Sequence, residues 1–561
     1  MSSEGGALVY GVIADSHFHP PGVPAQAAWA SDANFNARNQ VVADWMRQAA
    51  PRRVIHLGDV PHPVPGLPEH AAALAVARAT YADLPLHVVP GNHDVGDKPH
   101  PWAPAPSVSE AKHEVFRQTW GPPWWVVEDG PVTLVGIDTP VLNSGLPLEA
   151  EQWAWLERVL VPGRRTFLFL HYPPFLLHPD EPEHYDNVAE PARGRLLAAI
   201  ARAGVEAVFC GHVHHPFWNH VDGTDFYLLP STAFVRPEYS ELGRVGPGDE
   251  FGRDERRRLG FCLLRVHERG HTVEWIRTEG ATNPEDAPAL SQGVGRCPVG
   301  LTLRHAWDAV LDLPADGLEP FRRKQARNDL VLLATWELGS PVLRLPLDDL
   351  RRPGTRARLV ALAARGQRVV LFTAEPITDS DRALIADHRA AIVAVEQVVP
   401  RAWLDRPLPA LAVPTWLAPL GRAAGDVGGR YFSHFTPHGL RVGDPDAPRA
   451  TAGDGLVFRC EPGEDVVAAA AAVAATPRGA MLLVLLPRAG ESGCADDDDA
   501  VTRVVEAAVA AAVAQPRLLV VLDTTVDHDR GYFPRHGLLD RRGNPRPAFE
   551  RLVALSRVRC R

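Results

Sequence analysis

Lysine is nearly missing from this chain. Among 561 residues it occurs only at Lys98, Lys112 and Lys324, so almost all of the 58 basic residues are arginine. The bias reads first as GC-rich coding, beside alanine tracts such as Ala468–Ala475, and second as a preference for bidentate phosphate contacts. Cysteine is scarce too, and Cys210, Cys262, Cys297, Cys460, Cys494 and Cys560 lie far apart. The lack of any Cys-x-x-Cys pair argues against a zinc ribbon, and the low density argues against a disulfide scaffold. No apolar run reaches the roughly 20 residues needed to span a bilayer. The opening MSSEGGALVYGVIADSH has neither a basic n-region nor a long apolar stretch. No signal peptide is read there, and a cytoplasmic location is expected, with no membrane partner. Net positive charge is absent as well: the formal charge is −10. That disfavours a general nucleic-acid binder, while leaving room for a local basic pocket.

What is present is ordinary globular composition, 45% hydrophobic and 22% charged, in a chain long enough for two to four domains on a prior of roughly 100–200 residues each. In the first half, short apolar runs at Leu8–Ala14, Val54–Leu57, Leu86–Val89, Val132–Ile137, Thr166–Leu170, Val205–Phe209 and Phe226–Leu229 read as buried strands. Helical stretches such as Asn39–Ala50 and Glu69–Tyr81 separate several of them, and Gly260–Arg277 reads as two closing strands. This alternation predicts a layered α/β fold. Glu241–Arg258 reads as an exposed loop, and the turn-rich, aperiodic segment 280–297 as a linker. The expected division is therefore a domain over 1–279, the linker, and a second domain over 298–561.

Five short motifs fall just after the strands of the first half. They are Asp15-Ser-His17, Gly58-Asp59, Gly91-Asn92-His93-Asp94, His171 in LFLHYPP, and Gly211-His212-Val-His214. Carboxyl ends of strands are where α/β sheets bind ligands. Phosphate-ester hydrolysis needs the phosphoryl charge neutralised and a nucleophilic hydroxide at neutral pH, and two divalent ions about 3.5–4 Å apart do both. Such a pair needs a bridging carboxylate with imidazole and oxygen ligands on either side. A mixed N/O set suits Mn, Fe, Zn, Co or Ni better than Ca.

These motifs resemble those of the calcineurin-like metallophosphoesterase superfamily over about Leu8–Val235, and within it the branch of class III cyclic-nucleotide phosphodiesterases and purple acid phosphatases. The resemblance implies a four-layer α/β/β/α sandwich. It also implies that Asp15, His17, Asp59 and His214 hold one metal, with Asp59 bridging to a second held by Asn92, His171 and His212. His93 would sit by the leaving-group oxygen with Asp94 orienting it, and the nucleophile would be a hydroxide between the metals. The run GDVPHPVP departs from relatives that carry GD-x-x-D. His62 within it could point into the site but reads first as an exposed loop histidine, and His19, His56, His178 and His215 read as non-ligands, with His19 or His215 the first exceptions to consider.

Three segments are candidate substrate determinants, since loops around a site set specificity. DANFNARN offers Asn36 and Arg38; PDEPEHYDN reads as a lid bearing His184, Tyr185 and Asp186; Trp120, Trp124 and Trp125 read as packing or as a stacking surface.

In the second half, strands are predicted at Val299–Arg304, Leu330–Trp336, Arg368–Thr373, Ala391–Val395, Thr415–Leu420, Gly455–Arg459, Met481–Leu486 and Arg517–Leu522. Eight strand–helix units in this length match a (β/α)8 TIM barrel, against an open doubly wound sheet. His536–Leu552, HGLLDRRGNPRPAFERL, is similar to the final turn of glycoside-hydrolase barrels. The two glutamates such enzymes need would be Glu396 and Glu491, but no Asn precedes Glu396. A barrel that binds or positions substrate is therefore favoured over an active glycosidase. The expected function is dinuclear-metal hydrolysis of a small phosphate mono- or diester containing a sugar or nucleotide. The alternatives are a cyclic-nucleotide phosphodiesterase, a bifunctional phosphatase–glycosidase, and a non-catalytic, metal-stabilised binding module.

Overall fold

The computed structural model describes residues 7–22, 29–100, 103, 105–243, 245–285, 296–303, 305–315, 321–420, 438–486, 498–527 and 537–558. They form two compact units: Met1–Gln292 with Val310–Asp329, and Gly293–Ala309 with Leu330–Arg561. This corrects the expected division, because a segment beyond the linker packs with the first unit.

Before the linker, the described residues of the first unit form eleven strands in chain order: β1 Leu8–Ile13, β2 Arg53–His56, β3 Leu86–Val88, β4 Trp125–Asp129, β5 Val132–Gly136, β6 Arg165–Leu170, β7 Ala207–Cys210, β8 Phe217–Val221, β9 Thr224–Leu228, β10 Gly260–Val266 and β11 His271–Arg277. They build two mixed sheets, ordered β11-β10-β1-β2-β3 and β4-β5-β6-β7-β9-β8. Strand alternation sorts the side chains. On β6, Leu168 and Leu170 join a core with Trp153, Leu156, Leu196 and Ile200 of the helices Pro147–Val159 and Ala192–Ala203. Phe167 and Phe169 face the other way, where Phe167 meets His271 of the first sheet at 5.5 Å between ring centroids. The outer face of that sheet is covered by the helix Phe35–Ala49 through Val41, Val42, Trp45 and Met46. Helix, sheet, sheet and helix make the expected four layers. Trp125 lies on β4, its indole N–H donating to the Val88 carbonyl at 2.9 Å and its ring against Phe169, so it packs the sheets together. Glu241–Arg258 is less exposed than its charge implied. Arg253 and Arg258 are buried within it.

The second unit begins with strand β12, Gly300–Thr302. The chain then returns to the first unit as an antiparallel hairpin, β13 Val310–Pro314 and β14 Arg323–Arg327, paired from Val310↔Arg327 to Pro314↔Arg323. The remaining strands are β15 Val342–Pro346, β16 Arg368–Thr373, β17 Ile392–Val399, β18 Thr415–Pro419, β19 Gly455–Cys460, β20 Gly479–Leu485 and β21 Leu519–Asp523. With β12 they close an eight-stranded parallel barrel in chain order. Leu330–Trp336, expected as the second barrel strand, lies within the helix Leu330–Leu338, and β15 takes that place. The run LVLLATWEL is apolar on nearly every side and almost wholly buried, and such a run has no period to separate strand from buried helix. No helix of the described residues is long and apolar enough to cross a membrane.

Candidate metal centre

Each motif leaves its strand and turns sharply. Asp15, His17, Asp59, His212 and His214 all have positive φ, between 48° and 70°. Side chains other than glycine rarely adopt this conformation, and runs of it gather at functional sites. The backbone is fixed by bonds between motifs, Asp15 N to Gly58 O at 3.1 Å and His17 N to Asp59 O at 3.0 Å. Two glycines are required by close approach. A Cβ on Gly91 would stand 2.3 Å from Asp59 Oδ1, and one on Gly211 would stand 2.9 Å from Asp15 Oδ2.

The result is two groups of ligand-type atoms. Asp15, His17, Asp59 and His214 offer four within 4.8 Å of one another, and Asp59, His171 and His212 offer three. Asp59 belongs to both. Its Oδ2 lies 3.7 Å from His17 Nε2 and its Oδ1 lies 3.4 Å from His171 Nε2. The second group also has Asn92, whose Oδ1 is 3.0 Å from the same His171 nitrogen. All of these residues are buried.

Hydrogen bonds from the outer ring atoms set the tautomers. His171 donates from Nδ1 to Leu57 O at 2.8 Å, and His214 from Nδ1 to Phe234 O at 3.1 Å, which leaves each Nε2 as a lone pair facing inward. His17 Nε2 and His214 Nε2 stand 3.1 Å apart. Two imidazole nitrogens on one tetrahedral zinc-sized ion, at 2.0–2.1 Å each, would lie about 3.3 Å apart. Burial pushes the His17, His171, His212 and His214 imidazoles below their ordinary range, which keeps them neutral, the form that binds metal. Burial raises the Asp59 carboxyl to about 7; His171 offsets only part of the rise and the nearby Asp15 adds to it. The residues present therefore fit a pair of divalent ions.

His93 lies at the rim, its side chain 22% exposed and its Nε2 4.0 Å from Asp59 Oδ2. Its orientation corrects one expectation. The ring is held through Nδ1 by the backbone carbonyl of His62, not by Asp94. Asp94 accepts from the backbone N–H groups of Asp59 at 2.7 Å and Gly91 at 2.8 Å, tying the two motif loops together.

The substrate candidates also change role. Both ends of the Asn36 amide bond the His19 backbone at 2.9 Å. Arg38 is 1% exposed and holds Ala233 O and Asp254. His184 is buried beside Glu181, so PDEPEHYDN is no exposed lid there. Tyr185 and Asp186 do approach the centre, but from behind the ligands. Tyr185 Oη is 3.4 Å from Asn92 Nδ2 and donates to Asp97 at 2.9 Å. Asp186 Oδ1 lies 3.4 Å from His212 Nε2.

Sequence reasoning missed what holds Asp186. Its carboxylate meets Arg236, the Tyr239 hydroxyl at 2.8 Å, and Lys324 from β14. Burial alone would raise this carboxyl, but Arg236 and Lys324 outweigh it and hold it well below the usual range. Lys98, also buried, donates to the His184 and Asn187 carbonyls of the same loop. The signal was rarity: two of the chain's three lysines support this one loop.

Residues 8–216 match the family model of the calcineurin-like phosphoesterases. The N-terminal region thus carries a calcineurin-like metallophosphoesterase domain, with a cluster of residues able to hold divalent metal. The serine/threonine-protein phosphatase CPPED1 of Danio rerio is 34% identical over 194 residues, 32% of this chain and 60% of that protein. CPPED1 of Homo sapiens is 32% identical over 177 residues, 29% of this chain and 54% of that protein. A probable glycerophosphodiester phosphodiesterase, GpdQ, of Arcobacter nitrofigilis is 29% identical over 151 residues, 25% of this chain and 50% of that protein. A dimetal phosphatase structure from Danio rerio aligns with 48% of this chain and 95% of its own at 13% identity and a TM-score of 0.30. The chain spans between half and three fifths of the curated relatives named here.

Proposed function

We propose that the chain hydrolyses phosphate esters with two divalent ions. Asp15, His17, Asp59 and His214 hold one ion; Asp59, Asn92, His171 and His212 hold the other. The observation that carries this reading is the membership of Asp59 in both ligand groups. Bound ions would neutralise phosphoryl charge and activate water. His93, at the partly exposed rim, would give a proton from Nε2 to the leaving oxygen in its doubly protonated form, with the His62 carbonyl accepting from Nδ1–H and fixing the ring. Asp94 keeps the loops of Asp59 and Asn92 in register. The relatives are named for phosphatase and for phosphodiesterase activity, which supports a phosphoric ester without choosing between monoester and diester. A sugar- or nucleotide-containing ester is our preferred substrate class, by analogy with the barrel, and the ion pair is expected to be Mn, Fe, Zn, Co or Ni.

p-Nitrophenyl phosphate, bis(p-nitrophenyl) phosphate and cyclic AMP, assayed side by side with added Mn²⁺ or Zn²⁺, separate the classes. We expect turnover of at least one ester. We also expect its loss in Asp59→Asn, and a drop of roughly 10²–10⁴-fold in His93→Ala, the usual weight of a general acid. Full activity in Asp59→Asn would refute the mechanism.

A further inference from the structure

A second cluster of metal-type side chains lies beside the first and shares no residue with it. His19, Asp32 and His62 each offer a ligand atom, all within 4.8 Å of one another. The β1–β2 pairing continues past the motif loops, through Phe18 N to Val60 O and His62 N to Phe18 O, both 2.8 Å, and so sets His19 next to His62. Their ring centroids are 4.5 Å apart, and that of His62 is 5.3 Å from His17. Asp32 comes from the short turn Ala30–Asn34.

These side chains are built in but not satisfied. His19 Nε2, Asp32 Oδ2 and His62 Nδ1 are buried without a hydrogen-bond partner among the described residues. Buried polar atoms are nearly always partnered, so three together ask for an absent group. Their surroundings look like the support of ligands. Asn36 clamps the His19 backbone from both sides. Arg253 donates twice to Asp32 Oδ1, at 3.1 and 2.9 Å, so one carboxylate oxygen is fixed while the other stays open. Metal ligands are commonly held in this way by an outer partner. The Arg253 guanidinium is itself packed 3.8 Å over the Phe234 ring.

We propose that His19, Asp32 and His62 form a third divalent-cation site, separate from the seven residues of the pair. Two imidazoles and a carboxylate suit Zn²⁺, Co²⁺ or Mn²⁺ better than Ca²⁺. Three protein ligands leave a position open for water or a phosphate oxygen, as in catalytic rather than closed structural zinc sites.

The test is metal stoichiometry of the full chain, stripped with chelator and dialysed against Co²⁺ or Zn²⁺, with the Co²⁺ absorption spectrum as a second readout. His19→Ala and His62→Ala should each bind one ion fewer per chain than the unsubstituted protein, with a changed Co²⁺ spectrum and a far-UV spectrum like that of the parent. Asp59→Asn should keep the ion that His19→Ala loses. Unchanged stoichiometry in folded His19→Ala or His62→Ala would overturn the proposal. If either variant fails to fold, His19→Gln introduced into Asp59→Asn decides: one ion fewer than in Asp59→Asn alone supports the site, and an equal count overturns it. Failure of the pair would show separately, as no loss of metal in Asp59→Asn.

Discussion

Asp59 of the first unit and Glu396 of the barrel are both buried carboxylates, and they sit in opposite electrostatic settings. Glu396, on β17, is fully buried and meets Arg344 of β15 twice, at 2.6 and 3.0 Å, with His438 at 3.2 Å. β15 and β17 are separated by β16 in the barrel order, so the pair meets across the interior, where alternate strands share a layer. Burial would raise Glu396, but Arg344 and His438 outweigh it and hold the carboxyl at about 2. Asp59 faces His17, His93 and His171 with no arginine or lysine ion pair among the described residues, and burial raises it to about 7. A carboxylate whose cation is built in serves structure. One surrounded by neutral histidines, on strained backbone, is made for a cation from outside. The comparison also weakens the glycosidase alternative, since Glu396 is already committed to Arg344. Glu491 lies outside the described residues.

If Glu396 is structural, removing its partner should be costly. Arg344→Ala leaves a buried charge unpaired and should destabilise the barrel by about 3–5 kcal/mol, read from denaturant unfolding. A barrel of unchanged stability would break the contrast. On the other side, Gly91→Ala places a methyl group against Asp59 and His171. It should lower both metal content and ester turnover, by roughly 10²-fold in turnover if misplacement of about 1 Å results. Asp186→Asn should weaken the ion held by His212 by about 10–100-fold, as removal of an outer partner of a ligand does, measured by competition with a chelator. Unaltered affinity would mean that Lys324, Arg236 and Asp186 only brace the fold. The smallest effect is on pH dependence. The folded pKa of Glu396 lies below its unfolded value, so the pair's contribution is complete above about pH 5 and is lost as pH falls toward 2. Acid titration of Glu396→Gln should lack that component of the parent's loss of stability.

The centre was legible because its chemistry restricts residue type at fixed places. Asp15 through His214 lie where strands end, and no packing requirement would choose histidine and aspartate there five times over. The layers were legible from apolar runs, but β4 and β8, whose sequences WVVED and FWNHV mix polar and apolar residues, were not. Leu330–Leu338 was misread because a wholly buried helix carries no period. The support behind the ligands was hidden for a different reason. Lys324 reaches Asp186 from 138 residues away, on a hairpin beyond an apparent linker, and no local pattern encodes such a contact. Asn36, Arg38 and His184 were chosen for charge and position in loops, whereas their side chains are taken up by internal bonds.

The central claim is that one carboxylate serves two ions, and counting metal in two variants tests it most directly. Asp59→Asn should weaken both ions of the pair together, whereas His17→Ala should weaken only the ion shared with Asp15 and His214. Loss of a single ion, or of none, in Asp59→Asn would contradict the account.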